Sequence, residues 1–93
     1  VSTSDISPDG ATGITASVVN NTNTKIYKLD LRNNTIKLQG TKSLSNFLAF
    51  DVNIVPDQQK VFVLGLIGEK VKLKVFDLVN FTELNEYSVS EIK

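Results

Sequence analysis

Apolar and polar positions alternate in short runs along most of the chain, and polar breaks separate the runs. Ile14, Ala16 and Val18 alternate with Thr15 and Ser17, a period of two that predicts a strand over 11–19. The polar run 20–24 reads as a loop. Residues 25–31 read as the next strand, with Tyr27, Leu29 and Leu31 on one face. Arg32-Asn33-Asn34-Thr35 reads as a turn, because Asn tolerates left-handed backbone geometry, and 36–39 closes the first set. After an expected linker over 40–46 the pattern restarts, with Phe50, Val52 and Ile54 alternating against Ala49, Asp51 and Asn53. Residues 60–67 are apolar, and β-branched or aromatic at most positions, which predicts a strand buried on both faces. Strands over 71–78 and 83–90 complete the series, the last as an outer strand. Ser7-Pro8-Asp9-Gly10 and Val55-Pro56-Asp57-Gln58 read as tight turns, in which Pro presets φ.

The two halves repeat. Ile6-Ser7-Pro8-Asp9 matches Ile54-Val55-Pro56-Asp57 at an offset of 48, and Leu29-Asp30-Leu31 matches Phe76-Asp77-Leu78 at an offset of 47. A period of about 40–50 residues with four strands per unit is the arithmetic of a propeller blade. The expected fold is therefore all-β, a single domain of two four-stranded antiparallel blades over 1–40 and 47–93. An eight-stranded β-sandwich is the alternative.

Ile6-Ser7-Pro8-Asp9-Gly10, a strand, a polar loop and then Lys25-Ile26-Tyr27-Lys28-Leu29-Asp30-Leu31 resemble blades of the WD40 and TolB-like β-propeller superfamily. In that family the first strand ends at a Pro-Asp-Gly turn. The third ends in an aromatic or aliphatic residue followed by Asp, the place of Leu29-Asp30 and Phe76-Asp77. The chain has no His and no Trp, so the Gly-His and Trp-Asp dipeptides of a standard WD40 repeat are missing and the broader propeller class is what the resemblance implies. Propellers close with roughly four to eight blades, and two alone leave edges exposed. The resemblance thus implies a segment of a larger propeller, working as a non-catalytic protein-interaction scaffold whose partners are other proteins or the remaining blades. The candidate partner-binding positions are Ser7, Asp9, Gly10, Asp57 and Gln58 in the turns and Asn21, Arg32 and Asn33 in the loops. Two further expectations are a non-catalytic propeller segment gating a larger hydrolase or peptidase, and an extracellular adhesion or surface-layer sandwich.

Composition narrows the chemistry. Lys plus Arg equals Asp plus Glu, 10 each, which gives no electrostatic draw toward nucleic acid or an anionic membrane. Without His or Cys the chain can build neither a Ser-His-Asp nor a Cys-His constellation, nor a zinc site from such ligands. No enzyme activity, cofactor, metal or small-molecule substrate is expected. Asp5, Ser7, Asp9 and Gly10 match the first half of a calcium loop, but its twelfth position is Ala16 and a turn accounts for the same residues. Lys70, Lys72 and Lys74 share one face of a strand, which reads as charge guarding a sheet edge rather than as a phosphate-binding face. Glycosylation sequons at Asn20, Asn33 and Asn80 fall in loops. No apolar run approaches the roughly 18 residues that span a bilayer. The opening at Val1, with no basic region before an apolar stretch, reads as a processed product or a piece cut from a longer protein, with an intracellular location slightly favoured.

Overall fold

Eight strands form within residues 2–88, which the computed structural model describes. They are β1 (Ser2–Ile6), β2 (Thr12–Val19), β3 (Asn23–Asp30), β4 (Lys37–Leu44), β5 (Leu48–Val55), β6 (Lys60–Ile67), β7 (Lys70–Asp77) and β8 (Glu83–Ser88). Each set of four is an antiparallel meander, in the orders β1-β2-β3-β4 and β5-β6-β7-β8. The fold is all-β, as the alternation predicts.

Local chemistry sets the hairpins. Asn20 and Asn21 take φ of 56° and 58°, and Thr22 N–H donates to Val19 O at 3.4 Å. Two consecutive positive-φ residues match the right-handed twist of the flanking strands. Gly68, at φ 62°, makes the corresponding turn between β6 and β7. The Arg32–Asn34 and Pro56–Gln58 turns are single 3₁₀ turns, closed by Thr35 N–H to Arg32 O at 3.3 Å and by Gln59 N–H to Pro56 O at 2.9 Å.

The structure corrects four sequence expectations. Residues 40–46 are not a linker, because β4 runs through Leu44 and pairs with β3 from Asp30–Lys37 to Thr24–Leu44. Its polar composition reflects an edge strand with most side chains in water. In β5 the register slips at Phe50, which stands unpaired between Ala49–Gly65 and Asp51–Leu64. This bulge shifts the strand's parity. Ala49, Val52 and Ile54 are buried, while Phe50 is half-exposed at 50%. In β6 Val61 and Val63 are buried but Phe62, Leu64 and Leu66 only partly, so one face is sealed and not both. β7 lies between β6 and β8, so its lysines guard no edge. The final strand matches its expected start at Glu83 and runs to Ser88; positions 89 and 90 lie outside the described residues.

The core lies between the sheets. Ile14, Ala16 and Ile26 of the first sheet meet Ala49, Val52, Ile54, Val61, Val63 and Phe76 of the second in one cluster. β5 is the strand of the second sheet that approaches β1 and β2. Two aromatic residues from connections complete the cluster. Phe47, between β4 and β5, is 0% exposed. Phe81, between β7 and β8, is buried although its φ is 57°, a region that bulky residues rarely occupy. Its ring lies 5.9 Å from that of Phe76 and covers Gly40, where a Cβ would stand 3.1 Å from Phe81 Cδ2.

Polar groups also stitch the sheets. Asp5 Oδ2 accepts Ile54 N–H at 2.7 Å. Thr24, 0% exposed, donates its hydroxyl to Phe47 O at 2.6 Å and accepts Ala49 N–H at 3.0 Å. Lys28 Nζ donates to Leu78 O at 2.5 Å and Val79 O at 3.1 Å.

Candidate functional site

Most of the candidate binding positions gather at one end of the molecule. The β1–β2 connection and the end of β3 meet there, since Leu31 N–H donates to Ala11 O at 2.9 Å. In the second sheet Leu78 N–H donates to Gln59 O at 2.8 Å, and Lys28 joins the two ends through Leu78 and Val79. Asp9, Gly10, Arg32, Asn33, Asp57 and Gln58 are exposed on this rim. Asn21 belongs to the opposite end, beside Asn46 and Gly68. Ser7 is on the rim but buried at 7%, and its work is internal. Its hydroxyl donates to Asp9 Oδ1 at 2.6 Å and accepts Thr12 N–H at 3.1 Å. Asp9 Oδ1 also accepts Ala11 N–H at 2.9 Å, and the Ser7 bond, then the Ala11 bond, hold this carboxyl below its usual range. The half-motif for calcium is thus a side-chain-braced turn. The matching turn at Pro56–Gln58 has Val55 where the first has Ser7, and closes through the backbone with Gln59 at φ 54°.

Arg32 and Asp30 form the strongest ion pair of the rim. Arg32 Nε and Nη2 each donate to Asp30 at 2.9 Å in a two-pronged contact, and Arg32 N–H adds a third bond at 3.0 Å. The side-chain bonds from Arg32 come first, then its backbone N–H, in holding the Asp30 carboxyl down to about 2 from the ordinary 3.8. A depressed carboxylate value stabilises the fold above the unfolded-state value and loses that contribution as the pH falls toward the folded-state value. Carboxyl NMR titration is therefore expected to place the Asp30 midpoint near 2 and to return it toward 3.8 in Arg32→Ala. An unchanged midpoint in that variant would show the pair to be absent in solution.

Lys74 is absorbed by the second sheet. Its ammonium meets Glu83 at 3.1 Å and Glu86 at 2.8 Å and lies 5.5 Å over the Phe47 ring. Burial opposes its charge, but the bonds to Glu86 and Glu83 outweigh burial and raise its pKa. Lys72 Nζ donates to Ser88 Oγ at 2.6 Å. Both cations are used in tying β7 to β8, which leaves only Lys70 of the three without a side-chain partner among the described residues.

A further surface feature is a sheet face. β2 and β6 begin and end 48 positions apart, and β3 and β7 begin and end 47 apart, so the sheets can be matched residue by residue. Ile14, Ala16 and Ile26, which the first sheet turns toward the core, match Phe62, Leu64 and Leu73. The second sheet turns Val61, Val63 and Phe76 toward the core, and these match Gly13, Thr15 and Leu29. The two sheets therefore pack through unlike faces, head to tail. Cross-strand pairing places Phe62 beside Val75, Leu64 beside Leu73 and Leu66 beside Val71 on the second sheet's outer face, with Tyr87 next to Leu73. No described strand packs on this face, where Val75 is buried at 4%, Phe62, Leu64, Leu66, Val71 and Leu73 are half-buried and Tyr87 is 52% exposed. The first sheet's outer face carries Ile6 at 59% and Leu38 at 61% exposure, with Gly13, Thr15 and Ser17 between them and its far end.

Sequence reasoning had treated Phe62 and Leu64 as buried and did not single out Thr24, Phe47 or Phe81. The repeat offsets held the missing signal. Applied to every position, they set Ile14 against Phe62 and show that opposite faces of the two units are apolar. No protein-family model matches the chain, and no curated protein matches it.

Proposed function

We propose that the chain is a non-catalytic protein-interaction scaffold built as a segment of a β-propeller. The observation that carries this reading is the head-to-tail use of unlike sheet faces. A two-sheet sandwich buries both of its apolar faces against each other and is complete. Here the face that seats the first sheet on the second recurs on the second sheet, as Phe62, Leu64 and Leu73, with no described strand upon it. Contacts of this heterologous kind continue until a ring closes. The rim of turns at Asp9, Arg32, Asp57 and Gln58 is then the platform offered to other proteins.

A tandem chain in which the 93-residue sequence is followed by a second copy of itself tests the reading. In repeat architectures each unit adds stability through its interface with the next. The tandem is expected to unfold in one transition, several degrees above the single chain. Unfolding at the single-chain temperature, with each copy independent, would remove the propeller reading.

A further inference from the structure

We infer that a second copy of this chain docks its first sheet's outer face on the outer face of the second sheet. This docking rests on the repeat reading above and adds the identity of the occupant. The internal contact already shows the mode, with Ile14, Ala16 and Ile26 seated against a face that includes Val61 and Val63. What remains to be asked is which surface suits the bulkier copy of the seated face. The β2 residues Ile14, Ala16 and Val18 are replaced in β6 by Phe62, Leu64 and Leu66, all larger. On the opposing side, Val61 is replaced in the first sheet by Gly13, over which Leu31 lies with Cδ1 3.2 Å from where a Cβ would stand, Val63 by the isosteric but polar Thr15, Gly65 by Ser17 and Phe76 by the smaller Leu29.

Packed sheets sit about 10 Å apart, and cores tolerate exchanges that conserve total volume. The larger Phe62, Leu64 and Leu66 on one free face are offset on the other by Leu29, where the internal contact has Phe76, which favours the same docking mode. The apolar exposure agrees. Ile6 and Leu38 on one free face and Tyr87 on the other are each more than half exposed in the single chain. Two faces that complement each other rather than themselves give a head-to-tail contact, and every open assembly retains one free face of each kind, one at each end.

Two substitutions on opposite faces, used separately and together, test this. Light scattering of the wild-type chain is expected to give a mass that rises with concentration above 10.2 kDa. Leu64→Asp, on the second sheet's free face, and Ser17→Arg, on the first sheet's, should each return the mass to 10.2 kDa. The two variants mixed should recover a dimer and go no further, since each keeps the face that the other has lost. Circular dichroism and thermal unfolding verify that both variants stay folded; Leu66→Glu and Thr15→Arg serve in their place if either does not. A wild-type chain that stays monomeric at millimolar concentration overturns the docking. So does a dimer that Leu64→Asp abolishes and Ser17→Arg leaves intact, because it would join two like faces. If the tandem chain gains stability while free copies stay apart, the propeller reading stands and only the second-copy docking falls.

Discussion

Replacing Gly65 with Ala is expected to destabilise the chain by about 3 kcal/mol, the upper range for overpacking a well-filled core. A Cβ at this position would stand 2.4 Å from Phe47 Cζ, 2.6 Å from Cε2 and 2.8 Å from Leu48 O. None of these atoms can retreat cheaply. The Phe47 ring is 0% exposed, and Leu48 O is backbone in the strand paired with β6. A domain of this size holds only about 5–10 kcal/mol in total, so the loss is a large share of it. Chemical denaturation of Gly65→Ala against wild type measures it. Trimming the ring with Phe47→Leu should cost stability alone yet recover part of the loss in combination. The two changes should couple by more than about 1 kcal/mol, as residues in contact do. A Gly65→Ala chain within about 0.5 kcal/mol of wild type would mean that Phe47 does not occupy this place in solution.

The second large effect is expected at Thr24. Its hydroxyl serves two backbone groups at once, donating to Phe47 O and accepting Ala49 N–H. Thr24→Val keeps the shape and removes both bonds, leaving two buried groups unpaired. Each such group costs about 1–3 kcal/mol, so a total of about 2–6 kcal/mol is expected. Thr24→Ser keeps the hydroxyl and removes a methyl, at about 1 kcal/mol. Urea midpoints for the two variants separate the roles, and equal losses would show that the hydroxyl is idle.

The strands were legible wherever one face is apolar and the other polar. β2 and β6 follow from alternation or from β-branched runs, and the turns follow from Pro, Gly and Asn. Three features stayed hidden for physical reasons. β4 has too few buried positions to leave an alternating trace, since an edge strand is held mainly by backbone bonds to β3. The bulge at Phe50 changes which residues face the core without altering composition, so period-two counting sends the Phe inward and leaves Ala49 outside. Phe47 and Phe81 lie in connections that read as polar, yet burial of a single ring outweighs the surrounding polarity. For the proposed binding surface, the rim positions were readable as turn residues. The apolar outer face reads as an ordinary buried strand, because an apolar face without a strand upon it has the same composition as a filled core.

The pairing of β5 with the first sheet also bears on how the chain is made. Each meander closes through neighbouring strands, so residues 2–44 contain every backbone partner that the first sheet needs. Synthesis from the N-terminus, at about 5–20 residues per second, allows that sheet to form while the rest is still unmade. Its Ile14, Ala16 and Ile26 would then face water. The next strand to emerge is β5, the very one that lies against β1 and β2, with Asp5 positioned to accept the Ile54 N–H. The order of the strands in the gene thus keeps the nascent hydrophobic surface uncovered for only the roughly 0.5–2 seconds that residues 45–55 take to appear.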